Sequence, residues 1–282
     1  MDFNTALMTT PSRTTAGLAS LFVPHGAPTF ALQPGAAGAA LAAMAARLPR
    51  PRAVVIVSAH WDTAVPTVGA ATRFDTIHDF SGFPPALRAL RYPATGCPEL
   101  ARSVAGAIEA AGLPVQLDTT RGLDHGAWVP LRLMYPDADV PVIALSIQST
   151  GGPDQAWRLG RALSALQPGL LVIGSGNLTH NLRDWHAVSH LGADTPGYVR
   201  GFAEWVAEKL SAGDTAALID YRRRASGGVQ AHPSEEHLLP LFVALGAAGD
   251  GAPATRFHAG IDEHVLAMDA WSFTPALQGD TR

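Results

Sequence analysis

Short runs of apolar residues alternate along the chain with longer, Ala-rich stretches. Leu21-Phe22-Val23, Ala53-Val54-Val55-Ile56-Val57 and Leu170-Leu171-Val172-Ile173 are continuous rather than alternating, the mark of strands buried on both faces. The pattern predicts strands over 20–24, 53–59, 66–70, 114–118, 141–147, 169–174 and 265–273, and helices over 36–48, 98–112, 154–166, 196–212 and 235–247. Ser234 is expected to cap the last of these, with Glu235 and Glu236 at its positive dipole end. Strands alternating with helices at this spacing predict an α/β fold, a central mostly parallel or mixed sheet with helices on both faces.

No linker or internal repeat divides the chain, so a single domain over 18–282 is expected, preceded by a flexible arm over 1–17. Segments 71–96 and 213–233 carry neither helical nor strand periodicity. Loops of that length are usually functional.

Composition narrows the function classes. With 47% hydrophobic and 16% charged residues, the 282-residue chain is globular and can bury a large core. A net charge of −4 gives no field for gathering nucleic acid. Arg50, Arg52 and Arg222-Arg223-Arg224 are too short and scattered to change that. The single cysteine, Cys97, excludes an internal disulfide and a thiolate-based zinc or iron–sulfur site. The segment from Met1 to Leu7 lacks the basic and apolar regions of a secretory signal, and no apolar stretch approaches the ~20 residues that span a bilayer. A cytoplasmic protein with no membrane partner is expected; nothing in the pattern sets an oligomeric state.

Four of the eleven histidines fall at the edges of predicted elements. His25 follows the first strand, His60 ends the second, His180 follows the 169–174 strand, and His237 precedes the apolar run Leu238-Leu239-Pro240-Leu241-Phe242. In α/β folds, strand ends converge on the edge where ligands bind. Imidazoles delivered there from distant parts of the chain predict a metal centre of histidine with or without carboxylate, with iron or zinc as the ion. Glu235 and Glu236 flank His237 and are available to such a site.

The motifs then become specific. Pro24-His25-Gly26-Ala27-Pro28, Ser58-Ala59-His60-Trp61, Ile77-His78-Asp79-Phe80-Ser81-Gly82-Phe83-Pro84, Leu123-Asp124-His125-Gly126-Ala127-Trp128, Gly174-Ser175-Gly176-Asn177-Leu178-Thr179-His180 and Glu236-His237-Leu238-Leu239-Pro240-Leu241 occur in this order. In these the chain resembles the class III extradiol ring-cleavage dioxygenases, in their single-chain DOPA 4,5-dioxygenase-like branch, from about residue 20 to about residue 273. The resemblance implies that His25, His60 and His237 hold the metal. It implies that His180 lies over the metal as a resting-state ligand or as the acid/base residue, and that His125 is a second pocket histidine. In the two-subunit branch the third ligand is a glutamate; here the matching position is His237, with Glu235 or Glu236 as the carboxylate alternative. The implied reaction takes a catechol-type aromatic diol and O2, uses Fe(II), and opens the ring to a muconic semialdehyde-type product. Zn(II) is possible in the purified protein, because it outranks Fe(II) at nitrogen sites.

Other residues have two readings each. Ser58, Asn177 and Asp124 are candidates to orient ligand ring nitrogens. Trp61, Phe80, Phe83 and Trp128 either wall an aromatic substrate or pack the core and loops. His78 reaches a substrate side chain or braces its own loop. His186, His190, His258 and His264 match no motif. A phosphate cradle at Gly174-Ser175-Gly176-Asn177 lacks the lysine and glycine frame such loops need. Two other functions compete: a zinc-dependent hydrolase or amidase, and a non-catalytic metal-binding relative. The presence of both His125 and His180 favours catalysis.

Overall fold

The computed structural model describes residues 18, 20–166, 169–191 and 194–274; the expected arm over 1–17 lies outside them. The strands are β1 Ser20–Pro24, β2 Ala53–Asp62, β3 Thr67–Gly69, β4 Gln116–Asp118, β5 Val142–Ile147, β6 Leu170–Gly176, β7 Ala254–His258, β8 Ile261–Asp262, β9 Leu266–Ala267 and β10 Ala270–Phe273. Eight form one mixed sheet in the order β4-β3-β5-β2-β6-β1-β10-β7, while β8 and β9 pair separately. The centre, β5-β2-β6-β1, is parallel. The additions β10 and β7 at one side, and β3 against β5, are antiparallel.

Register explains why the histidines meet. Val57 and Ser58 of β2 lie opposite Gly174 and Ser175 of β6, and Val23 and Pro24 of β1 lie opposite Ser175 and Gly176. Three neighbouring parallel strands therefore finish at one edge, with His25 just past β1 and His60 near the end of β2.

Side chains alternate across β6. On one face, a Cβ on Gly174 or Gly176 would strike the carbonyl oxygens of Pro240 and His237, so glycine lets the helix Leu239–Ala248 lie directly on the strand. All ten residues of that helix are buried. On the other face, Ser175 meets the first turn of the helix His125–Met134, which packs with the helix Gly35–Arg47. Helices cover both faces, as predicted.

Several local expectations change. The final helix begins at Leu239, not near Ser234, because Pro240 cannot donate to Glu236 as an interior helical residue would; it fits only the first turn. Ser234 instead donates its hydroxyl proton to Glu236 Oε1. Residues 265–273 form two short strands rather than one, and β6 runs on through Gly176, past its expected end at 174. The helices His125–Met134 and Leu182–Leu191 were not predicted, and short helices interrupt 213–233.

Candidate metal centre

His25, His60 and His237 bring their Nε2 atoms together. His60 Nε2 stands 3.1 Å from His25 Nε2 and 3.3 Å from His237 Nε2. Two nitrogens bound about 2.0–2.1 Å from one ion, at angles between square and tetrahedral, stand about 2.9–3.4 Å apart. Both separations from His60 have that value, and all three ligand atoms lie within 4.8 Å of one another.

The hydrogen-bond network assigns the tautomers. Ser175 Oγ donates its only proton to the Gly126 carbonyl, so toward His25 Nδ1, 3.1 Å away, it accepts. His25 therefore carries its proton on Nδ1. His237 Nδ1 donates to Glu236 Oε1 at 3.1 Å, and His60 Nδ1 faces Asp79 Oδ2 at 3.6 Å. His25 Nε2 and His237 Nε2 are thus left with lone pairs, while His60 Nδ1 lies beyond hydrogen-bond distance of Asp79 and its Nε2 faces both of them. Three ring nitrogens at this separation can face one ion, and neutral imidazole nitrogens are the donors that divalent zinc and iron accept. The residues fit a metal.

Burial keeps these rings neutral. Burial first, then the neighbouring histidines, hold His25 and His237 well below the usual histidine range. His60 is pushed down to about 3, by burial and then by His125, against the pull of Asp79 and Glu236.

His125 and His180 flank the trio differently. His125 opens its helix; its Nδ1 donates to Asp79 Oδ2 at 2.9 Å and its backbone N–H to Asp79 Oδ1 at 2.8 Å. Its ring centroid lies 4.0 Å from that of His60 and 5.5 Å from that of His25. His180 stacks face to face on His237, with centroids 3.4 Å apart and planes 7° apart. One His180 nitrogen, one of His237 and a Glu236 oxygen lie within 4.8 Å of one another. Burial lowers His180 to about 4. His180 thus lies beside the trio rather than within it.

Local sequence makes this possible. Pro130 has no N–H for the carbonyl four residues earlier, which is that of Gly126. That carbonyl is free to accept from Ser175. Gly126 itself must lack a side chain, since a Cβ there would meet Ser58 Oγ and His60 Cδ2. Asp124 caps the same helix by accepting from the Ala127 amide.

The expected orienting residues are placed elsewhere. Ser58 donates to Asp124, Asp124 pairs with Arg121, and Asn177 Oδ1 accepts from the Gly26 amide. None of the three touches a ring nitrogen; Ser175, Glu236 and Asp79 do, and only Glu236 had been singled out, as a ligand. Trp128 is wholly buried with its indole N–H on the Ile77 carbonyl, and Trp61 is buried under the Arg121 guanidinium. Both pack rather than present a wall. Phe80 meets His125 edge-on at 5.6 Å and Phe83 at 5.8 Å, so half-buried rings line that side. His78 hydrogen-bonds the Leu90 carbonyl at 3.1 Å, which braces its loop. His186, His190, His258 and His264 stay outside the cluster; His232, not singled out by any motif, is fully buried with Nε2 on the Leu178 carbonyl.

Residues 31–267 match the family profile described as the catalytic LigB subunit of aromatic ring-opening dioxygenase. The chain belongs to this family. It is therefore a class III extradiol ring-opening dioxygenase by membership, an enzyme of aromatic ring cleavage whose family implies a metal cofactor, an aromatic substrate and O2. His60, His125, His180 and His237 lie inside the matched span; His25 lies just before it and is joined to the others by the geometry above. The chain is 38% identical over 257 residues to the 4,5-DOPA dioxygenase extradiol of Escherichia coli, covering 88% of this chain and 92% of that one. It is 40% identical over 227 residues to the enzyme of that name from Beta vulgaris, covering 80% and 84%. The fold matches the crystal structure of an uncharacterized Escherichia coli K12 protein with a TM-score of 0.74 and 34% identity, over 90% of this chain and 99% of that one. Among the described residues, no helix is long and apolar enough to cross a membrane.

Proposed function

We propose that this protein is a non-haem Fe(II) extradiol dioxygenase that opens a catechol-type ring beside the diol to a muconic semialdehyde-type product. The observation that carries this reading is the convergence of the His25, His60 and His237 Nε2 atoms. These three residues hold the metal, and Glu236 serves His237 through Nδ1 rather than replacing it. When bound, the ion supplies the acidity that ionises a catechol hydroxyl and the redox chemistry that engages O2.

The remaining work falls to the chain. With its Nδ1 proton directed at Asp79, His125 has Nε2 available to accept a substrate proton. His180, stacked on His237 and not committed to the trio, is placed to carry a proton on the other side. Phe80 and Phe83 offer ring faces and edges to an aromatic substrate. The names of the relatives make DOPA the first catechol to test.

An all-imidazole trio also holds zinc in hydrolytic sites, and zinc can load in place of iron during overexpression. Family membership favours ring opening over hydrolysis. The test is metal analysis, chelation, anaerobic reconstitution with Fe(II), and oxygen uptake with a catechol. Uptake and a yellow product that appear only on iron loading support the reading. Reconstituted protein that consumes no oxygen with any of a panel of catechols overturns it.

A further inference from the structure

We propose that Asp79 is a positioning residue that sets the tautomer of His125 and thereby makes its Nε2 a proton acceptor; this rests on the functional reading above. Asp79 lies on the long irregular loop rather than on a sheet strand. That loop is tied beside the helix His125–Met134: the Ile77 amide donates to the Leu123 carbonyl, and the Leu123 amide to Asp75, both at 2.8 Å. The carboxylate arrives with both oxygens committed.

Oδ1 accepts the His125 backbone N–H, one of the amides that a helix N-terminus leaves without an internal partner. Oδ2 accepts His125 Nδ1–H and also faces His60 Nδ1 at 3.6 Å. Two bonds to a single residue, one to its backbone and one to its ring, fix the ring plane as well as the proton. A neutral imidazole held with its proton on Nδ1 has its lone pair on Nε2, and a carboxylate is the partner that most favours this form. Asp124, the adjacent carboxylate, cannot substitute, because its oxygens are taken by Ser58, the Ala127 amide and Arg121.

The test compares the wild-type holoenzyme with Asp79→Asn. An amide can present its oxygen to only one of the two N–H groups and carries no charge. Because Asp79 Oδ2 also faces His60 Nδ1 at 3.6 Å, metal content is measured for both proteins and turnover is expressed per bound metal ion. Turnover should fall by roughly 10²–10⁴-fold, with KM for the catechol little changed. Imidazole 15N spectra of the diamagnetic zinc-loaded protein, with His125 assigned by its absence in His125→Gln, read the tautomer independently of activity. The wild type should show His125 protonated on Nδ1 and the variant should gain the Nε2-protonated form. Should Asp79→Asn fold poorly, Asp79→Ala assayed with added formate serves instead, since a free carboxylate that fills the gap should restore part of the turnover. A variant that keeps the Nδ1 tautomer, or wild-type turnover, overturns the proposal. If the wild type itself cleaves no catechol, the functional reading fails, while the 15N spectra still decide the role of Asp79.

Discussion

The hydroxyl of Ser175 reaches the Gly126 carbonyl that Pro130 leaves without its helical donor. A proline inside a short helix would ordinarily cost stability by removing a hydrogen bond. Here a strand residue on the neighbouring layer makes the bond instead, and the same hydroxyl then receives the Nδ1 proton of His25. Helix, strand and the His25 ring are linked through one oxygen.

That link predicts the effect of Ser175→Ala. His25 loses the acceptor that fixes its tautomer, and the buried Gly126 carbonyl loses its donor. Metal affinity should fall by roughly 10–100-fold, the usual cost of removing a partner of a ligand histidine. Competition against a chromogenic chelator measures it. An unchanged affinity would show that His25 is oriented by packing alone.

The ligand and proton-transfer roles separate by mutation. His25→Ala or His60→Ala should lose metal and activity together. His125→Ala should retain the metal and lose turnover by roughly 10²–10⁴-fold. His180→Ala should behave like His125→Ala, because its ring stacks on His237 instead of joining the trio. Metal content by elemental analysis, beside oxygen uptake, separates the cases; a His180→Ala protein with normal turnover removes His180 from the mechanism.

Much of this site is legible in the sequence. Continuous apolar runs mark β1, β2 and β6, and the histidines at their ends follow from where such strands finish. What escapes is set by tertiary contact. The helix His125–Met134 carries Gly126 and Pro130, which weaken any periodic signal, and its first turn is held by Asp124 and Asp79. Asp79 lies in a segment without period, and Ser175 looks like turn sequence because its glycine neighbours serve close helix approach rather than a bend. A residue whose purpose is to touch a distant ring leaves no local pattern.

Gly126→Ala tests close approach at the site. The added methyl would press on Ser58 Oγ and the His60 ring, neither of which lies at the free end of a flexible chain. Overpacking of this kind costs about 1–3 kcal/mol. Chemical denaturation should show that loss, and metal binding should weaken because His60 is the ring displaced. Wild-type stability with full metal content would mean that the helix shifts to accept the methyl.

His232 contributes to the acid limb of stability. It is fully buried, and burial, despite its bond to the Leu178 carbonyl, lowers it from 6.5 to about 3. The unfolded chain therefore takes up a proton here below about pH 6.5, while the folded protein refuses it until about pH 3. Stability from this group is complete above 6.5 and is lost as pH falls through that window, by up to about 1.4 kcal/mol per pH unit. His232→Phe, which fills the same apolar surroundings beside Phe202 and Tyr221, cannot take up that proton. Urea unfolding of metal-free wild type and variant at pH 7 and pH 5 isolates the contribution. The wild type should lose more stability than the variant between the two, and equal losses would show that His232 titrates alike in the folded and unfolded chain.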